Sequence, residues 1–434
     1  MIHSISKPDI TIRQAIKDAI DEGFNEQTEF LSEFVRIPSL RFQEGPAQDF
    51  MADALRQRDF LVDDWKIILS DLEHLPGFGQ IEGDFSRART VVGEKHPSQI
   101  KGKSLILQGH LDVVPTGPNE MWSHPPFDPI IKDGWMYGRG AGDMKSGTVA
   151  ALFALEAIKR AGFEPAARIC FQSVIEEEST GIGALSTLQR GYRADCVLIP
   201  EPTDHALITA QVGAIWFKIR VRGKPVHVAN ASAGSNAILV AYDIISALKG
   251  LEAKWNESAK TDDFFSHVKH PLNLNIGKIA GGDWASSVPA WCNIDCRIGI
   301  LPGVGIDSAK REIEACISAA SHKHPFLSNS PPKVIWNGFQ AEGWTLENAE
   351  LEKAVFSAAY QDVFGGKGPV ELSLTGLTDT RFYGLYHKIP SLCFGPRAEN
   401  IHGFNERVDL TSVKQCTETI ALFIAGWCGL NRID

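Results

Sequence analysis

The chain has 434 residues, with 43 Lys+Arg against 53 Asp+Glu and a formal net charge of −10 when histidine is neutral. That balance excludes a general binder of nucleic acid or of anionic membranes, both of which call for a basic surface. With 44% hydrophobic and 22% charged residues, the composition is that of a globular protein with a large core, which excludes disorder, collagen and coiled-coil rods.

At roughly 150 residues per domain the length allows two or three units. The opening MIHSISKPDITIRQ has neither a basic stretch followed by an apolar run nor a small-residue cleavage site, so secretion is not expected. No apolar run approaches the roughly 18 residues of a membrane span, and no membrane partner is expected. Cysteines stand at 170, 196, 292, 296, 316, 393, 416 and 428, mostly in apolar segments and never as CxxC. They read as reduced thiols in a cytoplasmic protein.

From Thr11 to Val35, the apolar residues Ile12, Ile16, Ile20, Phe24, Phe30, Phe34 and Val35 recur at helical spacing, predicting one or two amphipathic helices that end before Pro38. SLILQGHLDVVP is a short apolar strand whose far end carries His110 and Asp112. GWMYGRGAGDMKSG is a Gly-rich turn running into the helical pattern TVAALFALEAIKRAG, which puts Asp143 at a helix N-terminus. ARICFQSVIEEEST is a second strand, ending in Glu176, Glu177 and Glu178, and CVLIPEPT is a third, ending in Glu201. Strands alternating with helices imply a mostly parallel sheet, whose sites lie beyond the carboxyl ends of the strands. Three acidic strand ends therefore point to one site.

From about Val212 to Lys333 the order is strand, long helix, two strands, helix, which predicts a small α+β unit with an antiparallel sheet. The α/β grammar resumes near Val334, with a helix over ENAELEKAVFSAAYQDVF, a strand at PSLCFGP, His402 in the loop after it, and a last helix over TSVKQCTETIALFIAGW. The expected architecture is an α/β catalytic domain, a mostly parallel sheet with helices on both faces, in two segments over 1–211 and 334–434. A smaller lid domain over 212–333 interrupts it.

His110, Asp112, Asp143, Glu177, Glu178, Glu201 and His402 form a nitrogen- and oxygen-rich set without a thiolate, a combination that suits zinc, or cobalt and manganese, in a hydrolytic site. A carboxylate bridging two ions makes a clamp for a hydroxide nucleophile, and adjacent glutamates can supply both a ligand and a general base. On a strand, residues two apart share a face, so Asp112 is expected to reach the His110 ring and fix its tautomer.

HLDVVP, GRGAGDMKSG, the EEE turn, PEPT, GLTDTRFY and HGFNERV occur in the order seen in the M20 family of metallopeptidases and deacylases. The chain resembles in particular the branch of acetylornithine deacetylase and succinyl-diaminopimelate desuccinylase, from about Lys103 to the C-terminus. The resemblance implies a hydrolase of amide bonds with two zinc ions, its lid domain also forming a homodimer. His110 and Glu201 would bind one metal, Glu178 and His402 the other, and Asp143 would bridge them. Counting back from the Gly-Ile-Gly turn makes Glu177 the general base and leaves Glu176 a solvated flank, while Asp112 would orient His110. The peptide from Asp143 to Met144 is expected to be cis. His227, in RGKPVHVANASAGSNAI, would reach across the dimer to stabilise the tetrahedral oxyanion. Arg297 in NIDCRIG would grip a substrate carboxylate, and Thr378, Asp379 and Arg381 would line the same cleft.

Two departures bear on the substrate. Where many relatives have Asn-Val-x-Pro in the lid, this chain reads DWASSVP, so Ser286 or Ser287 replaces an amide side chain. After Gly-Pro near the last ligand stands Arg397, expected to face the cleft and favour an acidic acyl group. The substrate is read as a small N-acyl amino acid, with a dipeptidase or carboxypeptidase of the same fold as the alternative. A non-catalytic small-molecule binding protein is the remote one, disfavoured because both ligand sets and the base are complete. Phosphate chemistry is disfavoured because no phosphate-cradling Gly-rich loop ends in Lys and Ser/Thr.

Overall fold

Asp9 opens the first helix, its Oδ1 accepting the Thr11 amide at 2.8 Å. The helix then runs unbroken over Ile10–Arg36, ending as the approach of Pro38 demands. The computed structural model, which describes residues 8–433, thus has one long helix here. The stretch up to Lys7, part of what was read for a secretion signal, lies outside the described residues. Ile16, Ile20, Leu31, Phe34 and Val35 form the buried stripe, and the helix packs on Ser146–Arg160 and Leu410–Cys428.

Strands Leu105–His110 and Ile169–Val174 are buried at every position, as a parallel sheet covered on both faces requires. They sit in a nine-stranded sheet. Its centre, in the order Ile169–Val174, Leu105–His110, Cys196–Ile199, Ser391–Cys393, is parallel throughout. Leu61–Lys66 and Arg89–Lys95 extend one side antiparallel. Leu207–Gln211, with Trp344–Thr345 and Glu371–Leu374 beside it, forms the other. Successive residues on a strand point to opposite faces, and Leu105–His110 shows what covers each. A Cβ on Gly109 would come within 2.1 Å of Thr148 Oγ1 on helix Ser146–Arg160. The neighbouring Gln108 accepts the Tyr383 hydroxyl of helix Thr380–His387 on the other side. Helices therefore cover both faces, and His110 closes the strand at its carboxyl end.

The smaller unit is an antiparallel sheet in the order Leu274–Gly281, Trp291–Ile300, Gly213–Arg222, Lys333–Ala341. Alternate residues Ile215, Phe217, Ile219 and Val221 join Val240, Ile244 and Leu248 of helix Ala237–Ala259 and Ile313 and Ile317 of Ile306–Ser321 in a separate core. The in-between residues Trp216 and Lys218 look the other way, toward the catalytic unit. The expected boundary at 333 is displaced by this sheet: Lys333–Ala341 pairs with Gly213–Arg222 as a lid strand. The chain rejoins the main sheet only at Trp344–Thr345. Val334 and Trp336 pack against the lid core, a destination that a short apolar stretch does not declare.

Candidate active site

His110, Glu177, Glu178 and Glu201 stand at or just past the ends of central strands, while Asp143 and His402 lie on irregular segments. His110 is the last residue of Leu105–His110, Glu177 and Glu178 follow Ile169–Val174, Glu201 follows Cys196–Ile199, and His402 follows Ser391–Cys393. Asp143 lies in the irregular turn Ala141–Lys145 that feeds helix Ser146–Arg160, and the Asp143–Met144 peptide is cis. These ends converge. His110 Nε2 is 3.2 Å from Asp143 Oδ1 and 3.8 Å from both Glu177 Oε2 and Glu201 Oε2. His402 Nε2 is 3.0 Å from Glu178 Oε2 and 3.4 Å from Asp143 Oδ2. Asp143 thus stands between two imidazoles, one carboxylate oxygen turned to each.

His110 Nδ1 lies 3.0 Å from the main-chain carbonyl of Asp112. A carbonyl only accepts, so Nδ1 carries a proton, and Nε2 is the ring nitrogen turned to the carboxylates. The orienting group is therefore the Asp112 backbone, because the strand stops at His110 and the two residues do not share a strand face. The Asp112 carboxylate, 3.6 Å from the ring, accepts the amides of Glu177 and Glu178 at 3.3 and 3.2 Å, holding their turn in place.

Glu176 also departs from expectation. It is fully buried, takes Arg41 on both oxygens at 2.5 and 2.9 Å and accepts the Thr180 hydroxyl at 2.8 Å. Its carbonyl accepts the amides of Ser179, Thr180 and Gly181. Rather than a solvated flank it is the post on which the Glu177–Glu178 turn is built. Its backbone is left-handed, with φ of 65°.

The electrostatics describe a site short of positive charge. Burial pushes Glu177 and Glu201 well above the usual carboxyl range, and their neighbouring carboxylates add to the shift. Burial works against charge on both imidazoles, yet the hydrogen bond that Asp143 accepts and the surrounding carboxylates hold His110 well above its usual value. His402 is raised to about 10, its burial overcome by Asp143 and Glu178. Glu201 Oε1 is buried and has no hydrogen-bond partner. Two donor groups, His110 with Glu177 and Glu201, and His110 with Asp143 and Glu178, each fall within 4.8 Å. Imidazoles that hold protons, carboxyls that seek them and an orphaned carboxylate oxygen are what a site for divalent cations presents without its ions, and the oxygen and nitrogen donors fit zinc, cobalt or manganese.

A cavity of about 490 Å³ lies beside this cluster, lined by Asp112 and Glu178 of the cluster and by Trp216, Lys218, Asn275 and Arg297 of the antiparallel sheet. Arg297 pairs across the sheet with Trp216, and its guanidinium reaches only the Asn273 carbonyl at 3.3 Å, with no carboxylate on it. Lys218, by contrast, is engaged by Glu82 at 3.1 Å.

Thr378, Asp379 and Arg381 do not line this cavity. All three are buried: the Thr378 hydroxyl donates to Gln211 Oε1, Asp379 accepts from Gln108, and Arg381 Nη2 donates to the Thr180 carbonyl at 3.1 Å. Of the three, Arg381 reaches the Glu176–Thr180 turn, and burial raises Asp379 to about 6. Arg397 is turned away as well, lying over Trp135 and pairing with Glu399 at 2.9 Å. Its own near neighbour satisfies the charge that was expected to read the substrate. His227 is exposed on the lid, outside the cavity, with Nδ1 accepting the Ala229 amide at 3.1 Å so that the neutral ring keeps its proton on Nε2. The loop of Ser286 and Ser287 runs beside it, with Ser287 bridged to His227. No motif of the sequence marks Arg41 or Trp216, and Glu176 was expected only as a solvated flank. Trp216 could have been found from the strand's period, which sets it opposite the core residues.

The arrangement has relatives. Over 416 residues the chain is 28% identical to N-formyl-4-amino-5-aminomethyl-2-methylpyrimidine deformylase of Bacillus subtilis, covering 91% of this chain and 92% of that one. It is 31% identical over 327 residues to succinyl-diaminopimelate desuccinylase of Cupriavidus pinatubonensis, 71% and 78% covered. Among solved structures, the dipeptidase Dug1p of Saccharomyces cerevisiae superposes with a TM-score of 0.77 at 16% identity, with 99% of both chains covered. Residues 106–426, which include every strand end described above, match the family model described as Peptidase family M20/M25/M40. The chain belongs to that family, and it is an amide-bond hydrolase of the M20 type.

Proposed function

We propose that this protein removes the acyl group from an N-acyl amino acid or a related small amide, using two divalent ions, zinc or else cobalt or manganese. The observation that carries this reading is the convergence of His110, Asp143, Glu177, Glu178, Glu201 and His402, with Glu178 in the wall of a cavity that is also lined by Arg297, which no carboxylate of the described residues engages. In the proposal His110 and Glu201 would hold one ion and Glu178 and His402 the other, with Asp143 as a ligand placed between the two sets. The ions supply polarisation of the scissile carbonyl and acidification of the attacking water. Glu177, with its raised proton affinity, takes the proton from that water and passes it to the leaving amine. Asp112 fixes the His110 ring and the Glu177–Glu178 turn, and Arg297 receives the carboxylate of the amino-acid half through a two-pronged contact.

His227 is proposed to act from a second copy of the chain, donating its Nε2 proton to the developing oxyanion. A homodimer is supported by the lid surface, where Val228, Leu239, Tyr242, Ile279 and Trp284 are 47–73% exposed. Leu274–Gly281 is there an open sheet edge. Among the described residues no helix is long and apolar enough to cross a membrane, and all the cysteines are free thiols, which supports placing the protein in the reducing cytoplasm.

The test is hydrolysis of N-acetyl, N-formyl and N-succinyl amino acids and of dipeptides by chelator-stripped protein with Zn²⁺ or Co²⁺ restored, beside Glu177→Ala. Metal-restored cleavage of an acyl amino acid that Glu177→Ala abolishes is the expected result. Cleavage of the dipeptides alone would replace the deacylase reading by a peptidase one.

A further inference from the structure

Behind the candidate ligands lies a second charged pair that the proposed chemistry does not use. Arg139 and Glu406 are 2% and 0% exposed, and Arg139 Nη1 donates to Glu406 Oε2. Taking two charges out of water is costly; Arg139 Nε finds no hydrogen-bond partner among the described residues, and the partners of the other polar atoms are informative. Glu406 Oε1 accepts the amide protons of Gly142 at 2.9 Å and of Asp143 at 3.0 Å. Arg139 Nη2 donates to the carbonyl of Gly403 at 3.1 Å and to that of Pro115 at 3.4 Å. The guanidinium lies over the Trp122 ring at 5.3 Å, and Trp122 Nε1 in turn donates to the Thr116 carbonyl at 2.8 Å. One buried pair therefore reaches three segments: the turn that presents Asp143, the loop that presents His402 next to Gly403, and the stretch that continues from His110 and Asp112.

We propose that the Arg139–Glu406 pair sets the separation of Asp143 from His402 and thereby tunes the affinity of the ion that His402 holds. Both are positioning residues, acting through the backbone of the ligand loops. The physical argument is one of flexibility. Asp143 sits on irregular backbone, with φ −116° and ψ 101°, and His402 lies on a loop in a left-handed conformation with φ of 62°. Neither ligand has a strand or helix of its own to fix it, as His110 has. Glu406 is three residues beyond Gly403 and begins the return to strand Arg407–Asp409, which pairs with Trp135–Tyr137 just before Arg139. These two strands, the central ones of a small four-stranded sheet, thus anchor the pair, and the pair anchors the loops. Outer partners of metal ligands typically change metal affinity by 10–100-fold.

The proposal rests on reading these residues as metal ligands, and the experiment separates the two claims. The full chain, stripped by chelator, is titrated with Zn²⁺ by calorimetry as wild type, Glu406→Gln and Arg139→Lys. Glu406→Gln keeps the shape but loses the charge, and Arg139→Lys keeps the charge but loses the fork. The melting temperature of each metal-free sample and the visible spectrum of its Co²⁺ form are also recorded. Wild type is expected to take up two ions, and both variants are expected to bind one of them about 10–100-fold more weakly with an altered Co²⁺ spectrum. If Glu406→Gln fails to fold, Arg139→Lys carries the same comparison. A purely structural pair would lower the melting temperature and leave the affinities and the spectrum of the folded protein unchanged, a result that would overturn the proposal alone. Absence of zinc uptake by wild type would overturn the metal reading and this proposal with it.

Discussion

Glu177 is the residue on which the proposed chemistry turns. It is 7% exposed and lies 3.8 Å from His110, and burial raises its affinity for the proton that a general base must accept. Glu177→Gln is expected to lower kcat by about 10²–10⁴-fold while the bound metal, measured by atomic absorption, is unchanged. Glu44 makes a second prediction, on stability. Burial, reinforced by the nearby Glu176, raises its pKa from 4.5 to about 7. The folded state therefore favours the protonated form. The contribution is fully present below pH 4.5, declines as pH rises to about 7, and amounts to about 3 kcal/mol lost over that window. In urea unfolding of chelator-treated protein, the stability of wild type relative to Glu44→Gln should fall across this range; a pH-independent difference would contradict the assignment. At this scale the sequence was legible where a residue's role follows from its place at a strand end, as with His110, Glu178 and Glu201. It was not legible where the role depends on a partner far along the chain. Glu176 looked solvated because Arg41, which buries its charge, lies 135 residues away, and Arg397 looked available because its stacking on Trp135 cannot be seen in its own segment.

The elements place these side chains. Four parallel strand ends, each legible as an apolar run closed by an acid or followed by a histidine, gave the site its location. The lid was legible from the change to an antiparallel grammar, but not its last strand. Lys333–Ala341 bends at Gly338, whose φ is +57° and whose Cβ would come within 2.5 Å of the Trp216 ring. Gly338 also accepts a tie from the catalytic unit, its amide donating to the Gln80 carbonyl at 2.9 Å. Gly338→Ala is expected to cost at least 1–2 kcal/mol in chemical denaturation, the approximate price of a left-handed alanine, with the Trp216 overlap adding to it. Since Trp216 walls the cavity, KM should rise as well. On the lid helix, Asn236 Oδ1 accepts the amides of Ile238 and Leu239 at 3.0 and 3.2 Å. Loss of this cap in Asn236→Ala should cost about 1 kcal/mol of stability and leave kcat alone.

For the molecule as a whole, the proposed function depends on both units lining one cavity, Glu178 from the larger unit and Arg297 from the smaller. Arg297→Ala should raise KM for substrates bearing a free carboxylate by roughly 10–100-fold, the worth of a charge-assisted hydrogen bond, with little change in kcat. An equal effect on an N-acyl amino amide, which lacks that carboxylate, would contradict the proposed role. The most direct test of the central claim is native mass spectrometry of the chelator-stripped chain after zinc is restored, comparing wild type with Asp143→Asn. The account predicts two ions per chain in wild type and loss of both, or of all but a weak one, when the residue between the two imidazoles is neutralised. Two ions retained undiminished in Asp143→Asn, or none in wild type, would contradict it.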